Sequence, residues 1–237
     1  MSRRTARILI VDDEQEVVRI LQKNLLNQKY EVITAYTGKD ALRIAEERHP
    51  DLLLLDINLP DLSGIEVCKQ LRAQSQLPAI IIISIRDKER DKVRILDAGA
   101  DDYIAKPFGI DEVLARVRVA LRHAAHITPE SSSVTFSLGP LFVDTARHSV
   151  QLNGTAIKLT PIEYDLLLIF LRNQGKVLTQ HMLLTQIWGE EENVQSNYLH
   201  VYVAHLRRKL ELDPTRQRFF QTISGVGYRF TDSLENQ

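Results

Sequence analysis

Five polar residues stand where apolar runs stop. Asp12 and Asp13 follow "RILIV", Asp56 closes "LLLLD", Ser84 closes "AIIIIS", and Lys106 follows "DYIA". Two adjacent carboxylates repel each other, and a third beside them raises the cost unless positive charge sits among them. A donor set of oxygens, without Cys or His, favours a hard divalent cation, Mg2+ or Mn2+. Such a cation binds phosphate oxygens, and a carboxylate beside it can attack a phosphoryl group and form an aspartyl phosphate. Lys106 and the Ser84 hydroxyl would hold the remaining phosphate oxygens, and cation and ammonium together would offset the transferring charge. Taken alone, the Asp12–Asp13 pair reads equally well as a helix N-cap. All five residues at successive strand ends make that bland reading insufficient.

The elements that must position them follow from the apolar pattern. Short runs at 6–11, 30–35, 51–56, 79–83 and 102–105 alternate with amphipathic stretches of helical length, such as 14–28 and 110–122. Strand–helix alternation of this kind gives an α/β fold with a parallel sheet wound on both faces. In an open parallel sheet, ligands sit beyond the carboxyl ends of the strands, where these five residues fall.

Over residues 1–123 the sequence resembles the receiver domain of bacterial two-component response regulators. The matching stretches are "VDDE" at 11–14, "LLLDINLPDLSG" at 53–64, "IIIS" at 81–84 and "DAGADDYIAKPF" at 97–108. The resemblance implies a doubly wound five-stranded sheet with Asp56 as phosphoacceptor. Asp13, Asp56 and the Asn58 main-chain carbonyl would ligate Mg2+, with Asp12 acting through water. Lys106 would bind the phosphate, with Lys106–Pro107 cis. Ser84 and Tyr103 would be a switch pair, the hydroxyl moving to the phosphate while the ring turns inward. The resemblance also implies dimerisation through a charged face, for which Lys92, Asp97, Asp101, Asp102, Glu112, Arg116 and Arg118 are suited. The expected pairs across the two-fold are Lys92–Glu112, Asp97–Arg118 and Asp102–Arg116.

An aspartate nucleophile with Mg2+ on a parallel sheet also describes haloacid-dehalogenase-type phosphatases. Those place a second Asp, the general acid, two residues beyond the nucleophile. Asn58 stands there and cannot donate and retrieve a proton. Turnover is therefore not the expected main activity, and slow self-dephosphorylation is the most that follows.

The stretch 124–133, small and polar with one proline, reads as a linker. From 134 to 237 the pattern changes. Short antiparallel strands come first, with "LNG" at 152–154 as a hairpin turn. A helix opens at "LTPIEYDLL" with Thr160 as N-cap, Pro161 at its first position and Glu163 completing a capping box. "LTQHMLLTQIWG" reads as a second helix, and "SNYLHVYVAHLRRKLELDP" as a third, stopped by Pro214. "FFQTISGVGYRF" reads as a closing hairpin. On the third helix Leu199, Val203, Leu206 and Leu210 fall at core spacing. That leaves Asn197, His200, Val201, Ala204, His205 and Arg208 outward, flanked by Arg207 and Lys209. These types suit base edges, thymine methyls and phosphates. From Ser196 to Phe230 six basic residues face two acidic, a local charge of +4; by itself this fits any solvated surface.

Residues 134–231 resemble the winged-helix DNA-binding domain of the OmpR/PhoB class, an α+β winged helix-turn-helix, on "LTPIEYDLL", "GKVLTQHMLLTQIWG", "VYVAHLRRKLE" and "ISGVGYRF". The resemblance implies promoter DNA in the groove of the third helix, Thr222, Ser224 and Arg229 on or near the wing, and a sensor histidine kinase and RNA polymerase as partners. A phosphorylation-independent DNA-binding regulator remains the alternative. Within the class, "KPFGIDE", "YLHVYVAHLRRKLELDP" and "FFQTISGVGYRF" resemble regulators of potassium-transport operons of the Kdp type.

The bulk numbers agree. The chain has 237 residues, 44% apolar and 26% charged, with net charge −1, as for two soluble domains of ordinary size. It shows no apolar run long enough to span a membrane. The lone Cys68 excludes an internal disulfide and fits a reducing cytoplasm; it reads as a small buried hydrophobe.

Overall fold

The computed structural model describes residues 5–74, 78–85, 89–125, 134–189, 197–211 and 219–231. It divides into two compact units, 1–124 and 125–237. The linker expected at 124–133 falls largely outside the described residues.

The first unit alternates β1 (Arg7–Val11), α1 (Gln15–Asn27), β2 (Glu31–Ala35), α2 (Gly38–Arg48), β3 (Leu52–Asp56), α3 (Gly64–Ala73), β4 (Ala79–Ser84), α4 (Glu89–Asp97), β5 (Asp102–Ala105) and α5 (Ile110–Ala125). The strands form one parallel sheet in the order β2-β1-β3-β4-β5. β3 and β4 are buried along their whole length, which is why their sequences show no polar alternation. Period-two geometry then sends successive side chains to opposite cores. Leu9, Val11, Leu53, Leu55, Ile80 and Ile82 pack with α2 and α3. Ile8, Ile10, Leu52, Leu54, Ile81 and Ile83 pack with α1 and α5. Cys68 is 1% exposed in the first of these cores, and burial pushes its thiol pKa up to about 11, so it packs as an apolar group.

The second unit opens with an antiparallel sheet of β6 (Thr135–Leu138), β7 (Leu141–Asp144), β8 (Ser149–Leu152) and β9 (Thr155–Ala156). Asn153 and Gly154 both take positive φ (51° and 76°) at the β8–β9 turn, the requirement of a type I′ hairpin. α6 (Pro161–Arg172) carries the expected capping box: the Glu163 amide donates to Thr160 Oγ1 and the Thr160 amide to Glu163 Oε2. β10 (Val177–Thr179), α7 (Gln180–Trp188), α8 (Asn197–Leu210), β11 (Phe220–Ile223) and β12 (Gly227–Phe230) complete the unit. The sequence places Leu178 and Thr179 in the second helix. Instead Val177–Thr179 pairs with β12, and the Thr179 hydroxyl caps the helix by accepting from the Met182 amide. Phe170 of α6 meets Phe220 and Phe230 of the terminal hairpin at 5.3 and 6.1 Å between ring centres, so the hairpin is bolted to the helical core. The Pro214 stop lies outside the described residues.

Candidate functional site: an acidic pocket at the sheet edge and an exposed helix stripe

Sheet register brings the pocket together. Asp56 pairs with Ile83, one residue before Ser84, and Ser84 pairs with Ala105, one before Lys106. Asp12 follows the end of β1 beside β3. Asp12, Asp56 and Ser84 are buried, at 2%, 3% and 0% exposure, while Asp13 is exposed. Lys106 Nζ lies 2.8 Å from Asp12 Oδ2, 3.1 Å from Asp56 Oδ1 and 2.9 Å from Glu14 Oε1. Asp56 Oδ2 accepts the Asn58 amide at 2.6 Å. The Lys106–Pro107 bond is cis.

Electrostatics describe a pocket still short of positive charge. Burial raises the pKa of Asp12, and the neighbouring Asp56 adds to it; the hydrogen bonds from Lys106 and the Glu14 amide offset this only in part. Burial acts to lower the Lys106 ammonium, but its bonds to Asp12, Glu14 and Asp56 outweigh that and raise it. The oxygen donors and the residual demand for a cation fit a hard divalent ion in kind. Among the described residues no three His, Cys, Asp or Glu side chains stand in an arrangement that would by itself hold a metal ion. The set implied by the resemblance also includes the Asn58 main-chain carbonyl.

Tyr103 is 2% exposed, and its hydroxyl donates to the Ser84 carbonyl at 3.2 Å. The ring is therefore in the inward position of the expected switch. Lys92 Nζ lies 5.5 Å from the ring centre, within reach of a cation–π contact.

Three supports of the pocket escaped sequence reasoning. Glu14 contacts Lys106. Asp61 caps α2 from the β3–α3 loop, accepting from the amides of Gly38 and Lys39 at 2.7 and 3.0 Å. Gly64 lies so close to β3 that a Cβ there would stand 2.1 Å from the Asp56 carbonyl oxygen. The glycine after "LPDLS" was a visible signal; the other two depend on distant partners.

The charged face needs correction. Asp101 is 3% exposed and pairs with Arg72 of the same chain at 2.7 Å, so it is an internal brace. Asp102 and Arg116, expected to pair across a two-fold, already pair within one chain at 2.9 Å, both buried. Glu112 joins the same guanidinium at 3.1 Å. Lys92 is 7% exposed. Asp97 and Arg118 are exposed.

The helix stripe is narrower than expected. His200, Ala204 and Arg208 are exposed at successive i, i+4 positions of α8. Val201 and His205 are not: both are 4% exposed. His205 Nδ1 lies 3.4 Å from Glu163 Oε1, and its ring meets Tyr202 edge-on. Arg207 donates to the Phe220 carbonyl and Thr222 Oγ1 and lies over the Tyr228 ring. Lys209 holds Glu163 Oε2 at 2.5 Å. These two cations brace α8 rather than stand free for DNA. The Asn197 side chain lies outside the described residues. Thr222 and Ser224 are exposed on the terminal hairpin, and Arg229 is half-buried.

Comparison with known proteins matches both units. The family described as "Response regulator receiver domain" matches residues 8–118, and that described as "Transcriptional regulatory protein, C terminal" matches 154–230. The KDP operon transcriptional regulatory protein KdpE of Escherichia coli (strain K12) is 47% identical over 94% of this chain and 98% of its own. The transcriptional regulatory protein KdpE of Mycobacterium tuberculosis is 44% identical over the same shares. Among solved structures, the response regulator DrrB, a Thermotoga maritima OmpR/PhoB homologue, aligns with a TM-score of 0.52 and 32% identity over 96% of this chain and 99% of that one. Among the described residues no helix is long and apolar enough to cross a membrane. The chain belongs to the two-component response regulators of the OmpR/PhoB class, a receiver domain followed by a winged-helix DNA-binding domain, and is similar to KdpE.

Proposed function

We propose that Asp56 accepts a phosphoryl group from a sensor histidine kinase and that this acylphosphate switches the chain between two states of promoter binding. The P–N bond of the donor phosphohistidine breaks, an Asp56 oxygen forms the new O–P bond, and the donor imidazole keeps the electron pair. The observation that carries the reading is the position of Lys106 Nζ, 3.1 Å from Asp56 and 2.8 Å from Asp12 at the open end of the sheet. An ammonium there can meet the phosphoryl oxygens. Asp12, Asp13, Asp56 and the Asn58 carbonyl would hold Mg2+, or Mn2+, which offsets charge on the transferring group. Ser84 would donate to a phosphoryl oxygen, with Tyr103 held inward behind it. With Asn58 in the general-acid position, the chain would lose the group only slowly by attack of water.

The phosphorylated receivers would pair as a homodimer, with Asp97 and Arg118 as exposed charges. His200, Ala204 and Arg208 would enter the major groove, with Thr222 and Ser224 on the wing. RNA polymerase would be the further partner, and the setting the cytoplasm. Likeness to KdpE supports potassium-transport genes as the target.

The test is gel filtration with light scattering and a DNA-binding titration on a Kdp-type promoter fragment, with Mg2+ and beryllofluoride, on wild type and Asp56→Ala. A shift from monomer to dimer with tighter DNA binding, lost in Asp56→Ala, is expected. Identical behaviour of the two proteins would overturn the reading in favour of a regulator that ignores its acidic pocket.

A further inference from the structure

We infer that Glu14 is a displaceable partner of Lys106, holding the ammonium when Asp56 is bare and competing with the phosphoryl group for it. The inference rests on Asp56 being the phosphoacceptor. An ammonium has three N–H donors, and three carboxylates surround Lys106 Nζ: Asp12 at 2.8 Å, Glu14 at 2.9 Å and Asp56 at 3.1 Å. All three donors are thus engaged. The bond to Asp56 can pass to one phosphoryl oxygen, but to meet a second one Lys106 must release Asp12 or Glu14 as well.

The three acceptors are not equally easy to release. The Asp12 and Asp56 side chains are 3% and 4% exposed, whereas that of Glu14 is 61% exposed. A released Glu14 carboxylate goes into water, while a released Asp12 is left charged and buried. The position of Glu14 also leaves its carboxylate open to this contact. It is the N-cap residue of α1, yet its side chain makes no capping hydrogen bond. Glutamate is not among the side chains that cap helices well, so this carboxylate is not held by the α1 amides. It reaches instead to a lysine ninety-two positions along the chain. Its backbone is fixed for the purpose, since the Glu14 amide donates to Asp12 Oδ1 at 2.9 Å.

Glu14 therefore acts through Lys106 as a positioning residue. It keeps the ammonium at the mouth of the pocket and weakens the phosphorylated state by the strength of one half-exposed ion pair. An exposed pair of this kind shifts an equilibrium by about two- to fivefold.

The experiment is a calorimetric titration of the full chain with beryllofluoride at fixed Mg2+, on wild type, Glu14→Gln and Glu14→Asp. Binding is an equilibrium readout that a loss of fold stability alone would not tighten. The aspartate keeps the charge but is one methylene too short to reach Lys106. Both variants are expected to bind the probe about two- to fivefold more tightly than wild type. If Glu14→Gln tightens binding and Glu14→Asp matches wild type, the effect is general charge repulsion and the inference fails. If neither tightens, it also fails. If wild type does not bind the probe at all, the phosphoacceptor reading itself falls, and the inference with it.

Discussion

Asp12 is the residue where the pocket's electrostatics are most exposed to test. Its pKa is raised, first by burial and then by Asp56. An acid whose folded pKa lies above its unfolded value, about 3.9, stabilises the fold fully only below that value and loses the contribution as pH rises through the folded one. At neutral pH the ionised Asp12 therefore costs stability. Asp12→Asn should raise the melting temperature of the receiver by a few degrees at pH 7 without divalent cation. The gap between variant and wild type should close as pH approaches 4. A variant that melts lower at pH 7 would show that the Lys106 pair outweighs desolvation. Asp12, Asp56, Ser84 and Lys106 were legible because each stands at the end of an apolar run, and a run's end is visible in sequence. Glu14 and Asp61 were not, because their partners are set by how strands and loops meet in space.

At the scale of elements, α8 is held by a buried carboxylate on another helix. Glu163 is 1% exposed, caps α6 through Thr160, and faces His205 and Lys209 of α8. Burial alone would raise its pKa; the bonds from His205, Lys209 and the Thr160 amide reverse that and lower it. Its stabilising contribution is therefore present above the unfolded value of about 4.3 and is lost as pH falls through the lower folded value. Glu163→Ala should destabilise the winged-helix unit by about 3 kcal/mol, since it strips one partner from a buried charge cluster. Thermal unfolding at pH 7 measures it, and a change below about 1 kcal/mol would mean the cluster contributes little. The same cluster explains where sequence reading of α8 fell short. The spacing of Leu199, Val203, Leu206 and Leu210 identified the centre of the buried face, and all four are buried. It could not give the width of that face. Val201, Tyr202 and His205 are buried as well; Trp188 of α7 meets Tyr202 and Glu163 of α6 meets His205. Arg208→Ala should consequently weaken promoter binding and flatten its salt dependence while leaving the melting temperature unchanged. His205→Ala should lower the melting temperature first. Equal losses of DNA affinity with unchanged melting in both variants would put His205 back in the groove.

The whole molecule joins two units of different construction, and their association into a dimer is where single-chain geometry changes the choice of mutant. Arg116→Glu would place two acids beside buried Asp102 and remove the guanidinium that ties β5 to α5, so a lost dimer would say nothing about the interface. Arg118 is exposed and carries no such brace. Arg118→Glu should weaken the beryllofluoride-induced dimer severalfold with an unchanged melting temperature, read by sedimentation across a concentration series. A full-strength dimer would move the interface elsewhere. The strand–helix alternation and the two-sided core were legible in sequence; the order of the strands in the sheet was not. The legible features rest on local signals: uninterrupted apolar runs, a capping box and positive-φ turn residues. The charged face was legible only as a set of residue types, since a sequence does not distinguish a charge that pairs within its own chain from one that pairs with a neighbour.

Everything proposed for the receiver turns on Asp56 receiving the phosphoryl group. The most direct measurement is intact mass spectrometry after incubation with acetyl phosphate and Mg2+, on wild type and Asp56→Ala, with the label located by borohydride reduction and peptide mapping. A single added phosphoryl group on wild type, mapped to Asp56, and none on the variant, is expected. Labelling that persists in Asp56→Ala, or that maps to Asp12 or Asp13, would contradict the assignment.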